Sequence, residues 1–192
     1  MRVSVSSLLV LTLSALGKAA PVQDDVPALP NGAFTGINNA DGTTTLTFVD
    51  TNEVFTFKPT APPPLQSRNE GLNSRAAIGP TDCWRFQGAL NRQGVDSGVQ
   101  QFRNRLTGNS GFWLGKGKGA PYFGYNNNGV YVYFCVNTKD QWSTVVTINH
   151  LNDGTYWTDQ DCGPYQAGYV QWNNSPLLFG KTISGTAVCL GS

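Results

Sequence analysis

Four apolar residues, Val95, Val99, Phe102 and Leu106, recur at steps of four, three and four, which is one face of a helix. Gln100, Arg103 and Asn104 fill the opposite face. Asp96 has the chemistry of an N-cap and Gly108 that of a stop. A short strand over residues 84–86 precedes this helix. Beyond it the period changes: residues 112–114, 122–125 and 130–136 are dominated by aromatic and β-branched side chains and read as antiparallel strands, with a turn at 126–129. Residues 147–162 fit a second helix with Ile148, Leu151 and Trp157 turned inward, although Gly154 weakens it by about 1 kcal/mol relative to Ala. Two last strands are expected at 169–172 and 181–189. Strand, helix, strands, helix, strands describes an α+β fold: a small disulfide-bonded antiparallel sheet with two helices packed on one face.

Ahead of this domain the pattern differs. Residues 32–57 read as a β-hairpin of two or three strands: Phe34 and Ile37, a turn at Asn39, Ala40, Asp41 and Gly42, alternation through Thr45, Leu46, Thr47 and Phe48, then Val54, Phe55 and Phe57. Such a hairpin is marginal alone, so it docks on the main domain or stays loose. Ala61, Pro62, Pro63 and Pro64 open an extended polar connector that runs to Arg75, a candidate processing site. At the start, Arg2, an apolar stretch over residues 8–16 and the small residues Gly17, Ala19 and Ala20 have the layout of a cleaved export signal. The chain therefore divides into a signal peptide at 1–20, a pro-segment or linker with a hairpin at 21–75, and a disulfide-stabilised α+β domain at 76–192.

Export implies an oxidising compartment, and Cys83, Cys135, Cys162 and Cys189 read as two disulfides. They lie 52, 27 and 27 positions apart, without the close pairs a zinc site uses, so no metal and no cofactor is expected. Three pairings are open, with Cys83–Cys135 and Cys162–Cys189 preferred. From residue 76 onward eight Lys and Arg face six Asp, which gives no basis for nucleic-acid binding. No segment after the signal is apolar enough to span a bilayer, and the mature protein is expected to be extracellular and monomeric.

Several pieces together resemble a known family: Asp82-Cys83-Trp84, Gly94-Val95-Asp96, the run from Tyr122 to Asn127 leading to Cys135, Asp161-Cys162-Gly163 with Tyr165-Gln166-Ala167-Gly168, and the closing residues 180–189. The chain resembles the fungal secreted cysteine-containing effectors of the necrosis-inducing-factor type, and more loosely the α/β-sandwich fungal killer toxins. The likeness covers most of residues 82–191. It implies a secreted, toxin-like, disulfide-held scaffold and carries over no catalytic residues. Members often have six or more cysteines, and this chain has four.

Candidate chemistry is sparse. His150, the one histidine, stands in the second expected helix, and no Gly-x-Ser-x-Gly elbow accompanies it. The domain has no glutamate, which leaves Asp159 and Asp161, two positions apart, as the candidates for an atypical hydrolase. Lys116 and Lys118, in a Gly-Lys-Gly-Lys-Gly run, read as a charged strand connection. Eighteen of the 117 residues from Ala76 onward are aromatic, more than one small core would hide, so some should be exposed. Tyr125, Asn126, Asn127, Asn128 and Trp172 are the expected binding surface together with the two lysines, and Asn173 is a glycosylation candidate. The functional expectation is a non-enzymatic effector that binds a host or competitor protein. A carbohydrate- or cell-wall-glycan-binding module is the alternative, and an Asp-dependent hydrolase the second.

Overall fold

The computed structural model describes residues 26–61, 78–84, 87–115 and 121–191. In chain order these form β1 (Gly32–Asn38), β2 (Thr44–Phe48), β3 (Val54–Phe57), β4 (Ile78–Cys83), α1 (Arg92–Leu106), β5 (Phe112–Gly115), β6 (Tyr122–Asn127), β7 (Val130–Val136), β8 (Ser143–Val146), α2 (Ile148–Cys162), β9 (Gly168–Trp172) and β10 (Leu177–Ile183). The expected export signal, the connector through Arg75, and Lys116 and Lys118 lie outside the described residues.

Eight strands make one antiparallel sheet in the order β3-β2-β1-β6-β7-β10-β9-β4, and β5 pairs with β8 in a second sheet. All seven residues of β7 are buried, and its alternation explains why. Val130, Val132, Phe134 and Val136 join the core beneath the helices, with Val95, Phe102 and Leu106 of α1 and Leu151 of α2. Tyr131, Tyr133 and Cys135 point the other way, into a second core with Phe34, Leu46, Phe48 and Phe57 of β1 to β3 and with Val188 and Cys189. A strand apolar on both parities needs cover on both faces. Helices cover one face; on the other, side chains of β1 to β3 cluster with those of the last turn of chain.

The sheet is therefore larger than expected, because the hairpin docks. β1 pairs with β6 from Gly32↔Asn126 to Gly36↔Tyr122, which makes three added strands a continuation of the sheet. Two strand positions also differ. β4 ends at Cys83, ahead of the strand expected at 84–86, of which residues 85 and 86 lie outside the described residues. The last strand begins earlier, at Leu177, and ends at Ile183, after which Ser184 and Gly185 turn the chain back over the second core.

Helix α1 starts at Arg92, capped by Asn91, whose Oδ1 accepts the Gly94 N–H at 3.0 Å. Asp96 is not the cap: it stands in the second turn, where its carboxylate accepts from the Tyr165 hydroxyl at 3.5 Å. The apolar stripe concealed the first turn because Gly94 and Gly98 belong to the buried face. Each lies against the sheet, at Val130 and Val132, where a larger residue would not fit. Gly154, a weak point by propensity, has the same role in α2, against the Phe179 ring.

The disulfides are Cys83–Cys162 and Cys135–Cys189, with Cα separations of 5.4 and 5.9 Å. The preferred pairing was wrong for a topological reason. β10 and β9 stand between β7 and β4, which sets Cys135 about 14 Å or more from Cys83, beyond the reach of a disulfide. No helix among the described residues is long and apolar enough to cross a membrane.

Candidate functional site

Most of the residues expected to form a binding surface are instead fastenings of the fold. Tyr125, Asn126, Asn127 and Trp172 are buried. Asn126 Nδ2 donates to the carbonyls of Leu29 and Pro30 at 3.1 and 2.7 Å, and its Oδ1 accepts from Ser184 Oγ. Asn127 turns to the other face and donates to Gln101 Oε1 at 2.8 Å. Asn128, exposed, has φ of 48° and is followed by Gly129 at 74°, the left-handed pair of a tight hairpin turn. Its N–H donates to Asn31 Oδ1 at 2.9 Å. Trp172 packs edge-on against His150, with centroids 5.3 Å apart. Asn173 is exposed in the turn after β9, and its Nδ2 donates to the Ile78 carbonyl at 3.0 Å.

The candidate catalytic groups are likewise engaged. His150 is the third residue of α2, and its Nδ1 accepts the Thr147 N–H at 3.1 Å. Burial holds its pKa below the ordinary value, with Asp153 pulling the other way. Asp159 pairs with Lys181, which is fully buried and also donates to the Pro164 carbonyl at 2.8 Å. Burial pushes the Lys181 ammonium below its ordinary pKa, and the bond to Asp159 opposes this. Asp161 accepts from Thr81 Oγ1 at 2.6 Å. Among the described residues, no group of His, Cys, Asp or Glu is arranged to hold a metal ion.

Of the large aromatic side chains described, Trp113 and Tyr156 are the exposed ones, since two cores rather than one absorb the others. Trp113 is 53% exposed and borders a groove of about 220 Å³ lined by Thr35, Val49, Arg105, Phe112, Leu114 and Phe123. Four elements build it. β5 turns Leu114 into the core and Trp113 out. β1 and β6 bring Thr35 and Phe123, which are direct ladder partners. The last turn of α1 supplies Arg105, whose guanidinium lies 4.7 Å from the Phe123 ring centroid and 5.3 Å from that of Phe112. Phe112 and Phe123 are themselves 5.0 Å apart.

Tyr125 stands beside this groove, 5.5 Å from Phe123. Burial raises its pKa, while the charge and donor groups of Arg105 lower it and Asp50 raises it again. The expected surface thus touched the groove at one residue and missed Trp113 and Arg105. A signal for Trp113 was present: in Phe112-Trp113-Leu114 the tryptophan occupies the outward parity of a strand whose inward parity is already filled.

A second concavity of about 500 Å³ lies between the β1–β2 turn and the carboxyl end, lined by Asn38, Asn39, Thr43, Thr44, Lys139 and Leu190. Its amides are spent internally. Asn38 Nδ2 donates to the Val188 and Cys189 carbonyls, and Asn39 Nδ2 donates to the Thr43 and Thr45 hydroxyls. It offers no aromatic face. The chain matches no protein-family model, no curated protein and no solved structure.

Proposed function

We propose that this chain is a secreted, non-enzymatic protein, effector- or toxin-like in the manner of the necrosis-inducing-factor type it resembles, that acts by binding a host or competitor surface through the Trp113 groove. The observation that carries this reading is the half-exposed Trp113 beside a guanidinium that lies over two phenylalanine rings. A large ring held outward at a groove gives apolar contact area at little entropic cost, which is how recognition surfaces concentrate binding energy. Engagement of His150, Asp159 and Asp161 in the fold supports the non-enzymatic part. Two disulfides suit an extracellular setting.

The test is binding of labelled, purified full chain to intact cells of candidate host and competitor types. Trp113→Ala should abolish binding, and Tyr156→Ser, at the other exposed aromatic, should leave it unchanged. Equal binding by both variants would reject the groove. The flat ring of Trp113 also favours a second reading, a cell-wall-glycan-binding module; retention on chitin, glucan or cellulose that disappears with Trp113→Ala would select it.

A further inference from the structure

We infer that the Trp113 groove takes a sugar unit bearing a carboxylate, a hexuronate within a polysaccharide, with Arg105 holding the carboxylate and Trp113 stacking on the ring; this rests on the surface-binding reading above. Among the described residues Arg105 is the one cation lining the groove, and no ion pair to it is formed among them. Its position is nevertheless fixed, because Phe112 and Phe123 lie under its flat face. Stacking uses the face of the guanidinium; part of its edge is engaged with the Tyr125 hydroxyl, and its other in-plane N–H donors keep the fork geometry that matches a carboxylate.

The rest of the lining fits a sugar. Val49, Leu114 and the rings of Phe112 and Phe123 are apolar, Thr35 contributes one hydroxyl, and Trp113 is 53% exposed. A pyranose ring has an apolar face and a polar rim, so it uses both. At about 220 Å³ the groove admits a single ring and stays open to solvent, which lets a polymer continue past it.

Charge narrows the choice further. Nucleic acids and heavily sulfated polymers present several anions per contact and need a basic face, whereas this chain has a formal net charge of +1 and the described residues of the groove include one arginine. A neutral glycan would leave the guanidinium without an anionic partner. One fixed cation beside one stacking ring matches one carboxylate per sugar.

The experiment is calorimetric titration of the full chain with a trimer of hexuronate and with the same trimer after its carboxyl groups are reduced to alcohols. The uronate should bind about tenfold or more tightly, as a charge-assisted bidentate contact implies, and its advantage should shrink as salt is raised. Arg105→Gln should erase the difference between the two trimers, Arg105→Lys should restore part of it, and Trp113→Ala should weaken both. Cooperative thermal unfolding retained in each variant will establish that the variants keep the fold. Equal affinity for both trimers, or no affinity for either while Trp113-dependent cell binding persists, overturns the hexuronate and leaves the surface reading standing. Absence of any Trp113-dependent binding, to cells or to sugars, overturns both.

Discussion

Tyr133 lies across Gly180, its direct partner in the β7–β10 ladder, so closely that a Cβ on Gly180 would stand 2.5 Å from the ring's Cζ and Oη. Tyr122 lies over Gly36 in the same way between β6 and β1. Each tyrosine is buried with its ring laid flat along the neighbouring strand, in space that a side chain would otherwise occupy.

Gly180→Ala should therefore destabilise the protein by about 1 to 3 kcal/mol through overpacking, read as a lower denaturant midpoint at unchanged slope. In a Tyr133→Val background the overlying ring is gone, and adding Gly180→Ala should cost far less. Additive losses in the two backgrounds would mean that the ring is not what limits the site.

His150 gives a pH dependence with a definite sign. Its Nδ1 accepts the Thr147 N–H, so the ring is neutral there, and burial keeps the pKa below its ordinary 6.5, against the opposing pull of Asp153. A group harder to protonate when folded leaves the unfolded chain holding more protons below that value. Stability from this site should be complete above about pH 6.5 and decline as pH falls through the lower folded value. His150→Gln keeps a side-chain acceptor at the third helical position without titrating, and its stability should be flatter between pH 7 and 5 than that of the parent, measured by thermal melting at each pH.

Lys181 and Asp159 make an asymmetric pair: the lysine is fully buried and the aspartate 31% exposed. Asp159→Asn removes the negative charge beside a buried ammonium and leaves it neutral oxygen partners, the Pro164 carbonyl among them, and should cost about 3 kcal/mol. Lys181→Met fills the same space and leaves Asp159 in contact with water, so its cost should be under about 1.5 kcal/mol. Equal losses in chemical denaturation would show that the ion pair itself, rather than the stranded charge, sets the energy.

These sites show what the sequence could convey. Period-two alternation located β1, β2, β3 and β7 to within a residue or two, and the 3.6 period located α2, because those signals are local. The two-sided core was harder to see, since the alternation of Tyr131, Tyr133 and Cys135 with Val132, Phe134 and Val136 names two faces without naming what covers the second. Taking one core for granted made the aromatic count look excessive and turned Tyr125 and Trp172 into surface residues. Disulfide pairing failed for a related reason: the order of β7, β10, β9 and β4 is set by long-range pairing, which no local pattern carries. Asn126, Asn127 and Asn128 looked like a ligand-binding run because amides signal hydrogen bonding without saying to what.

Covering the second core also changes what cleavage after Arg75 would produce. Neither disulfide reaches residues 26–61, since both link cysteines from 83 onward. This stretch is nevertheless held by the β1–β6 ladder, by Asn126 at Leu29 and Pro30, by Asn38 at Val188 and Cys189, and by Thr60, which exchanges backbone bonds of 2.9 and 2.8 Å with Gly185 and Ala187. It buries Phe34, Leu46, Phe48 and Phe57 against the tyrosine face. A cut in the connector should leave two chains that co-migrate on gel filtration without denaturant, with an unfolding midpoint that now rises with protein concentration. An engineered protease site after Arg75 tests this directly, and Phe34→Ala, costing about 3 to 5 kcal/mol, should make the cut protein fall apart. If the uncut contacts were weak, the fragment would separate on cleavage of the parent itself, and residues 76–192 would then be a free domain with a bare tyrosine face. Co-migration would instead make β1 to β3 a lasting part of the working protein, and would keep Thr35 and Val49 in the wall of the Trp113 groove.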